Sequence, residues 1–312
     1  MVKIINDHCL VNHDYIFKTL LAKYNSSASC DILVYNCTDP TKRSHFGYAA
    51  SYETVKDLAI KLRPKVIIQL ADEWASEQNQ LHNLLSLTTN LFLRHHRHGE
   101  HLDSYQSNTY AIPLGYANGF DPLLSPQKMA SRRWTWSFSG ALRPNRQHML
   151  VEFWRMWNNI VVGYGNQTPQ EIQSLYNNSV FVPCGPGNSS LDCWRHYEAS
   201  ISGAIPVVCG SQQEILDTFS FFGELPPWIY ADTWANAVTR CQEIQFDTHK
   251  QQEYQDNILA WWHRTIATIQ DLISSALLKP VVPDLDRLAY LETITPKPRS
   301  VICYSGDGRA NH

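Results

Sequence analysis

The chain predicts an α/β protein built from two Rossmann-like, doubly wound domains that face a cleft. Three observations predict it. Short apolar runs of strand length alternate with amphipathic, helix-length segments, and the alternation occurs twice. A polar stretch with two prolines, 121–133, separates the two series. A length of 312 residues fits about two domains. Strands joined by helices imply parallel sheets covered by helices on both faces.

The first series reads as follows. Strands are expected at 2–5, 31–35, 65–70, 90–94 and 110–116, the last broken by Pro113. Helices are expected at 12–24, 52–62 and 76–87. The run KVIIQL at 65–70 is apolar almost throughout, as a strand buried on both faces requires. The second series expects strands at 134–139, 159–163, 180–183, 205–209 and 228–230. Its helices are expected at 144–157, 168–176, 191–202, 212–219 and 233–245, the first opened by Pro144 and the second by Thr168-Pro169. A long helix over 250–278 follows, and the remainder from 279 holds four prolines and reads as irregular. The expected division is therefore an N-terminal domain over 1–122, a C-terminal domain over 133–247, a helix over 248–278 that can return to the N-terminal domain, and an irregular tail over 279–312.

Bulk properties exclude several classes. A net charge of −3 implies no broad basic surface, which argues against a dedicated nucleic-acid binder. No apolar run reaches about 18 residues, so no membrane span is expected. The N-terminal stretch is too polar for a signal peptide, and a cytoplasmic location is expected. The eight cysteines include no CxxC pair, which disfavours a zinc ribbon and fits reduced thiols. The abundant aromatics, 10 Trp and 15 Tyr, suit stacking on sugars or bases and equally suit filling a core.

The chemistry concentrates between Phe181 and Gly210, FVPCGPGNSSLDCWRHYEASISGAIPVVCG. A buried strand ending at Pro183 runs into a Gly/Pro/Ser loop, Gly185, Gly187, Asn188, Ser189 and Ser190, and then into a helix. Such a loop brings backbone N–H groups to an anion, and the helix N-terminus aims positive charge at the same place. Arg195 and Glu198 lie three apart, on one helix face. The arginine can hold a phosphate and the carboxylate can accept hydrogen bonds from a ribose diol. An ordinary β-loop-α-β unit with a surface ion pair accounts for the same pattern. The loop is not a Walker A sequence, and it is not GxGxxG after the first strand.

Three further segments carry candidates. FSGALRPNR at 138–146 takes a strand into Gly140 and opens a helix with Arg143 and Arg146, side chains suited to a diphosphate. QLADEWA at 69–75 places Asp72 and Glu73 at the carboxyl end of a strand, where a carboxylate can take a proton from a hydroxyl or simply cap a helix. RHHRH at 94–98 holds Arg94 and His95; the interleaved cations disfavour a metal site and favour contact with an anion or an acceptor. The Asp284-Leu285-Asp286 triplet follows no strand and is discounted as a metal site.

In order, IIQLADEW, FLRHHRH followed by TYAIPLGY, WSFSGALRPNR and VFVPCGPGNSSLDCWRHYEASISGAIPVV resemble the exostosin family of glycosyltransferases, over roughly residues 66–209, and are most similar to soluble microbial or large-DNA-virus members. The resemblance implies the GT-B architecture and inverting transfer from a nucleoside-diphosphate sugar to a hydroxyl of a glycan, without a bound metal or other cofactor. UDP is the implied nucleotide, with xylose a guess at the sugar. It also implies that Arg195 meets the diphosphate with Arg146 and Arg143, that Glu198 meets the ribose, and that Asp72 or Glu73 is the base. Arg94, His95 and Tyr116 fall on the acceptor side. The family's small hydroxyl residue two before the helix arginine is replaced by Cys193, with Ser189 or Ser190 as substitutes. Retaining GT-B enzymes often carry a second glutamate eight positions after the first; here that position is Pro206. A non-catalytic nucleotide-sugar or glycan-binding protein and a nucleotide-sugar epimerase are the alternatives.

Overall fold

The structure is a computed structural model, described for residues 2–5, 14–24, 31–36, 52–70, 85–96, 107–157, 160–162, 167–187 and 190–281. Two five-stranded parallel sheets organise it. The first contains β1 (Val2–Ile5), β2 (Ile32–Asn36), β3 (Val66–Leu70), β4 (Leu91–Arg94) and β5 (Thr109–Ala111), in chain order across the sheet. The second contains β6 (Trp134–Ser139), β7 (Ile160–Val162), β8 (Ser179–Pro183), β9 (Ile205–Cys209) and β10 (Ile229–Ala231) in the order β10-β9-β8-β6-β7. Its order therefore reverses between β6 and β8, whereas each described strand of the first sheet adds at the same edge. A reversal opens a crevice at the carboxyl ends of the two strands, where ligands of open α/β sheets bind.

The apolar composition of the strands explains their placement. Every residue of β3 is buried. Leu33, Ile67 and Phe92 point to one face and pack with Val55 and Ala59 of helix α1 (Tyr52–Leu62). Ile32, Val34, Val66, Ile68, Leu91 and Leu93 point to the other and join a large core that continues through Tyr15, Tyr116, Trp262 and Tyr197 to Phe138 and Phe181 of the second sheet. The two halves thus share one apolar interior.

In the second half the helices are α2 (Pro144–Met156), α3 (Pro169–Asn177), α4 (Trp194–Ile201), α5 (Gln212–Phe219), α6 (Trp234–Ile244) and α7 (Thr248–Leu278). Local chemistry sets their starts. Thr168 and Glu171 form a reciprocal capping box that spans Pro169, and Ser211, Thr233 and Asp247 each accept a backbone N–H of the first turn. At 31 residues, α7 is roughly 45 Å long. It begins against the second half and the connecting stretch, where Gln251 donates to the Ile244 carbonyl and Gln255 to the Gln127 carbonyl. It ends on the first, where Gln270 donates to the Thr19 carbonyl and the Lys65 ammonium reaches the Leu277 carbonyl at 2.7 Å.

Some segments differ from the sequence reading. The helix expected over 12–24 is a π-helical segment, Tyr15–Leu20, whose Ile16 carbonyl accepts from the Leu21 N–H, five residues on. Strand β5 stops at Ala111, two residues before Pro113, which has no N–H to continue the ladder. The connecting stretch 121–133 adds a detail that its sequence does not show: the five N–H groups of Arg132 reach the carbonyls of Gln127, Tyr176, Ser179 and Ser202. Most of the helix expected over 76–87, and the tail from 282, lie outside the described residues. No helix among the described residues is long and apolar enough to cross a membrane.

Candidate functional site

The loops leaving β6 and β8 lie side by side at the reversal, and the first turns of α2 and α4 open onto them. Arg195, in the first turn of α4, lies across the end of β6. Its Nε donates to the Ser139 carbonyl at 2.9 Å, and the guanidinium carbon lies 4.8 Å from the Phe138 ring centroid. Its Nη1 faces Cys193 Sγ at 3.4 Å. The approach to the chain is so close that a Cβ at Gly140 would lie 2.4 Å from Nη2. Gly140 has φ +154°, a conformation that disfavours side chains. Among the described residues Nη2 has no hydrogen-bond partner.

Arg146 comes from the first turn of α2 and is 5 % exposed. Its Nε and Nη2 donate to the Pro186 carbonyl at 3.2 and 2.6 Å, and its Nη1 donates to the Ala141 carbonyl at 3.1 Å. It therefore clips the β6 loop to the β8 loop. A Cβ at Gly185 would sit 3.0 Å from Arg146 Cγ, so this glycine admits the arginine stem. Burial and the positive charge of Arg195 lower Arg146 to about 10, leaving it a cation at neutral pH. Two guanidinium groups thus share one site, and among the described residues neither has a carboxylate ion-pair partner. Glu198, one turn along α4, offsets part of this charge without closing an ion pair, and the remainder favours an anion.

The rest of the β8 loop is partly turned inward. Pro183 ends the strand, Cys184 N–H pairs with Val207, and Gly187 N–H donates to the Ser190 carbonyl at 2.8 Å. Ser190 Oγ accepts from the Asp192 N–H. Asn188 and Ser189 lie outside the described residues. Arg143 is the N-cap residue of α2. Cys193 is the N-cap residue of α4, and His196 Nδ1 lies 3.2 Å from its Sγ. His196 is packed between Trp228 and Phe219, and its burial lowers it to about 4.

Glu198, one turn after Arg195, is 8 % exposed. Its Oε1 accepts the backbone N–H of Ala117 at 3.3 Å, a contact from the segment that leaves the first sheet. Burial raises the carboxyl to about 6, against the opposing pull of the Ala117 N–H and Arg195. Sequence reasoning missed Ala117, because a backbone donor has no side-chain signature. It also missed Asp192, 2 % exposed, beside the hydroxyls of Tyr197 and Tyr15; burial first holds both phenols well above their ordinary range, followed by this carboxylate for Tyr197 and by Tyr116 and then this carboxylate for Tyr15.

On the other half, Arg94 ends β4 and is buried at 1 % exposure, and His95, equally buried, is pushed down to about 3 by desolvation. Tyr116 is also interior, with its hydroxyl 2.7 Å from Thr19 Oγ1. Asp72 and Glu73 lie outside the described residues. The structure therefore brings Gly140, Arg146, Pro183, Gly185, Arg195 and Glu198 around one crevice, and sets Arg94, His95 and Tyr116 within the first half.

No protein-family model matches this chain, and no curated protein sequence matches it. Solved structures do. An O-GlcNAc transferase mutant of Thermobaculum terrenum is 9% identical and covers 93% of this chain and 67% of its own, with a TM-score of 0.51. An alpha-glucosyltransferase in complex with UDP-glucose and DNA containing an abasic site is 11% identical over 80% of this chain and 79% of its own, with a TM-score of 0.45. Anabaena HepE in complex with UDP-glucose is 10% identical over 79% of this chain and 99% of its own, with a TM-score of 0.46. The fold of two parallel α/β halves is the GT-B fold.

Proposed function

We propose that this chain is an exostosin-like, inverting glycosyltransferase that works without a bound metal. It takes a sugar from a nucleoside diphosphate, UDP in the first instance, and passes it to a hydroxyl of a glycan. The observation that carries the reading is the pair Arg195 and Arg146, two cations at the strand-order reversal with no carboxylate ion-pair partner among the described residues. The GT-B fold supports it.

In this reading the diphosphate lies against Arg195 and the β8 loop, with Arg146 fixing the loop and adding charge from beneath. Arg143 extends the positive edge, and Gly187, Asn188, Ser189 and Ser190 line the anion. Glu198 receives the ribose hydroxyls. The acceptor lies toward the first half, near Arg94, His95 and Tyr116. Asp72, or Glu73 beside it, takes the proton of the acceptor hydroxyl. The acceptor oxygen forms its bond to the anomeric carbon from the face opposite the diphosphate. The bond from that carbon to the phosphate oxygen breaks, and its electron pair leaves with the diphosphate, where the guanidinium groups stabilise the developing charge. General-base help is worth roughly 10²–10⁴-fold.

Calorimetric titration with UDP is the first test: wild type binds, and Arg195→Ala binds at least tenfold more weakly. Unchanged affinity in the variant removes Arg195 from the donor site. Incubating a panel of UDP-sugars with glycans, and with a short DNA duplex as a second acceptor class, then separates the outcomes. A new glycoside of inverted configuration supports the proposal. Binding without turnover marks a binding protein, and an isomerised free nucleotide sugar marks an epimerase. Asp72→Asn abolishes most transfer while leaving UDP binding intact; near-wild-type turnover moves the base elsewhere.

A further inference from the structure

The hydrogen bond between Glu198 and Ala117 joins the two halves at the donor crevice. Its carboxylate belongs to α4, and its N–H belongs to the segment 112–120 that leaves the first sheet. That segment is anchored on both sides of Ala117. Before it, Gly115 takes a positive φ of +71° against the Tyr15 ring, so close that a Cβ there would lie 2.2 Å from the ring carbons. After it, the Gly119 N–H donates to Asp14 Oδ2 at 2.8 Å, and the Gly119 carbonyl accepts from Gln170 Nε2 of α3 at 2.8 Å. Ala117 thus presents its N–H to Glu198 from a braced turn rather than by chance of a loose loop.

At 3.3 Å this bond is longer than the usual N–H···O range, and its acceptor is a buried carboxylate. A ribose diol offers two O–H donors to the same carboxylate and matches both of its oxygens. The Oε1 atom now turned to Ala117 is one of the two. We propose that the Ala117 amide holds Glu198 in the donor-free protein and that a nucleoside diphosphate takes it away. The contact is therefore autoinhibitory and couples donor binding to loss of the Ala117 bond, while the bracing of the segment 112–120 is kept. This inference rests on the donor-site reading above. The Gln170 bond remains, because it does not involve Glu198.

Two measurements on the full chain test it. Ala117→Pro removes the N–H and leaves Glu198 intact. Titrated with UDP, this variant binds about three- to tenfold tighter than wild type, the worth of one hydrogen bond no longer competing. An affinity equal to or weaker than wild type, with an unchanged melting profile, overturns the proposal. Hydrogen exchange on wild type covers the case in which the proline variant does not fold: saturating UDP speeds exchange of the Ala117 amide. Slower or unchanged exchange overturns the proposal as well. The donor-site reading fails separately, if wild type does not bind UDP at all.

Discussion

The Arg195 guanidinium occupies the space that a side chain on residue 140 would need: Nη2 lies 2.4 Å from the position of a Cβ at Gly140. The glycine and the arginine are 55 positions apart (195 − 140) and form one unit of the crevice. Gly140→Ala therefore displaces the guanidinium from the Ser139 carbonyl and forces a side chain onto a φ of +154°. We expect a loss of UDP affinity of roughly tenfold or more, on the scale of a displaced charge-assisted hydrogen bond. Calorimetry beside a thermal melt checks it. A stable variant that binds UDP as wild type does would place the anion away from Arg195.

The unequal legibility of this site has physical causes. Strands such as VIIQL and IPVVC were readable because a sheet buried on both faces needs continuous apolar runs, and all of β3 is buried. Arg195 and Glu198 could be placed on one helix face from their spacing alone. The order of strands could not, since it depends on packing between segments far apart in sequence. Nor could the Ala117 N–H or the saturated guanidinium of Arg132 be seen, because both act through backbone groups that carry no residue code. The π-helical turn at Tyr15–Leu20 escaped for a related reason: its apolar spacing also fits an α-helix.

Arg132 ties the connecting segment to the second half through five hydrogen bonds to four carbonyls, those of Gln127, Tyr176, Ser179 and Ser202. Tyr176 lies in the last turn of α3 and Ser202 is the C-cap residue of α4, so neither carbonyl has a helical N–H four residues on. Arg132→Ala leaves them unpaired in a partly buried setting. It should destabilise the protein by roughly 3 kcal/mol, read as a lower urea midpoint. Arg132→Lys, with three donors on one atom, should recover less than half of that. A midpoint within error of wild type for the alanine variant would show that water replaces the guanidinium without loss.

Two buried histidines give the fold an acid limit. Burial holds His196 near 4 and His95 near 3, below the ordinary 6.5. A depressed histidine contributes stability that is complete above 6.5 and lost as pH falls toward the folded value. Glu198 runs the other way: raised from 4.5 to about 6, its contribution is complete below 4.5 and fades as pH rises through 6. The histidine shifts are the larger, so stability should drop by roughly 3 kcal/mol between pH 7.5 and 4.5. Urea titrations across that range check the sign, and a stability that rises on acidification would show that Glu198 dominates.

The same carboxyl gives nucleotide binding its own pH dependence. Ribose hydroxyls donate to an ionised carboxylate better than to a protonated one, and Glu198 ionises at about 6. Bringing the pH from 7.5 to 5 therefore protonates most Glu198 and should weaken UDP binding by up to roughly tenfold. The terminal phosphate of UDP titrates in the same window, so wild type alone does not isolate the carboxyl. Glu198→Gln does, because the amide keeps an oxygen for the Ala117 N–H and cannot titrate. Its affinity should be lower at pH 7.5 and should fall less on acidification, the difference between the two curves being the share of Glu198. Parallel curves for wild type and Glu198→Gln would mean that the ribose lies beyond the reach of this carboxylate, leaving Glu198 with the Ala117 contact as its only role at the crevice.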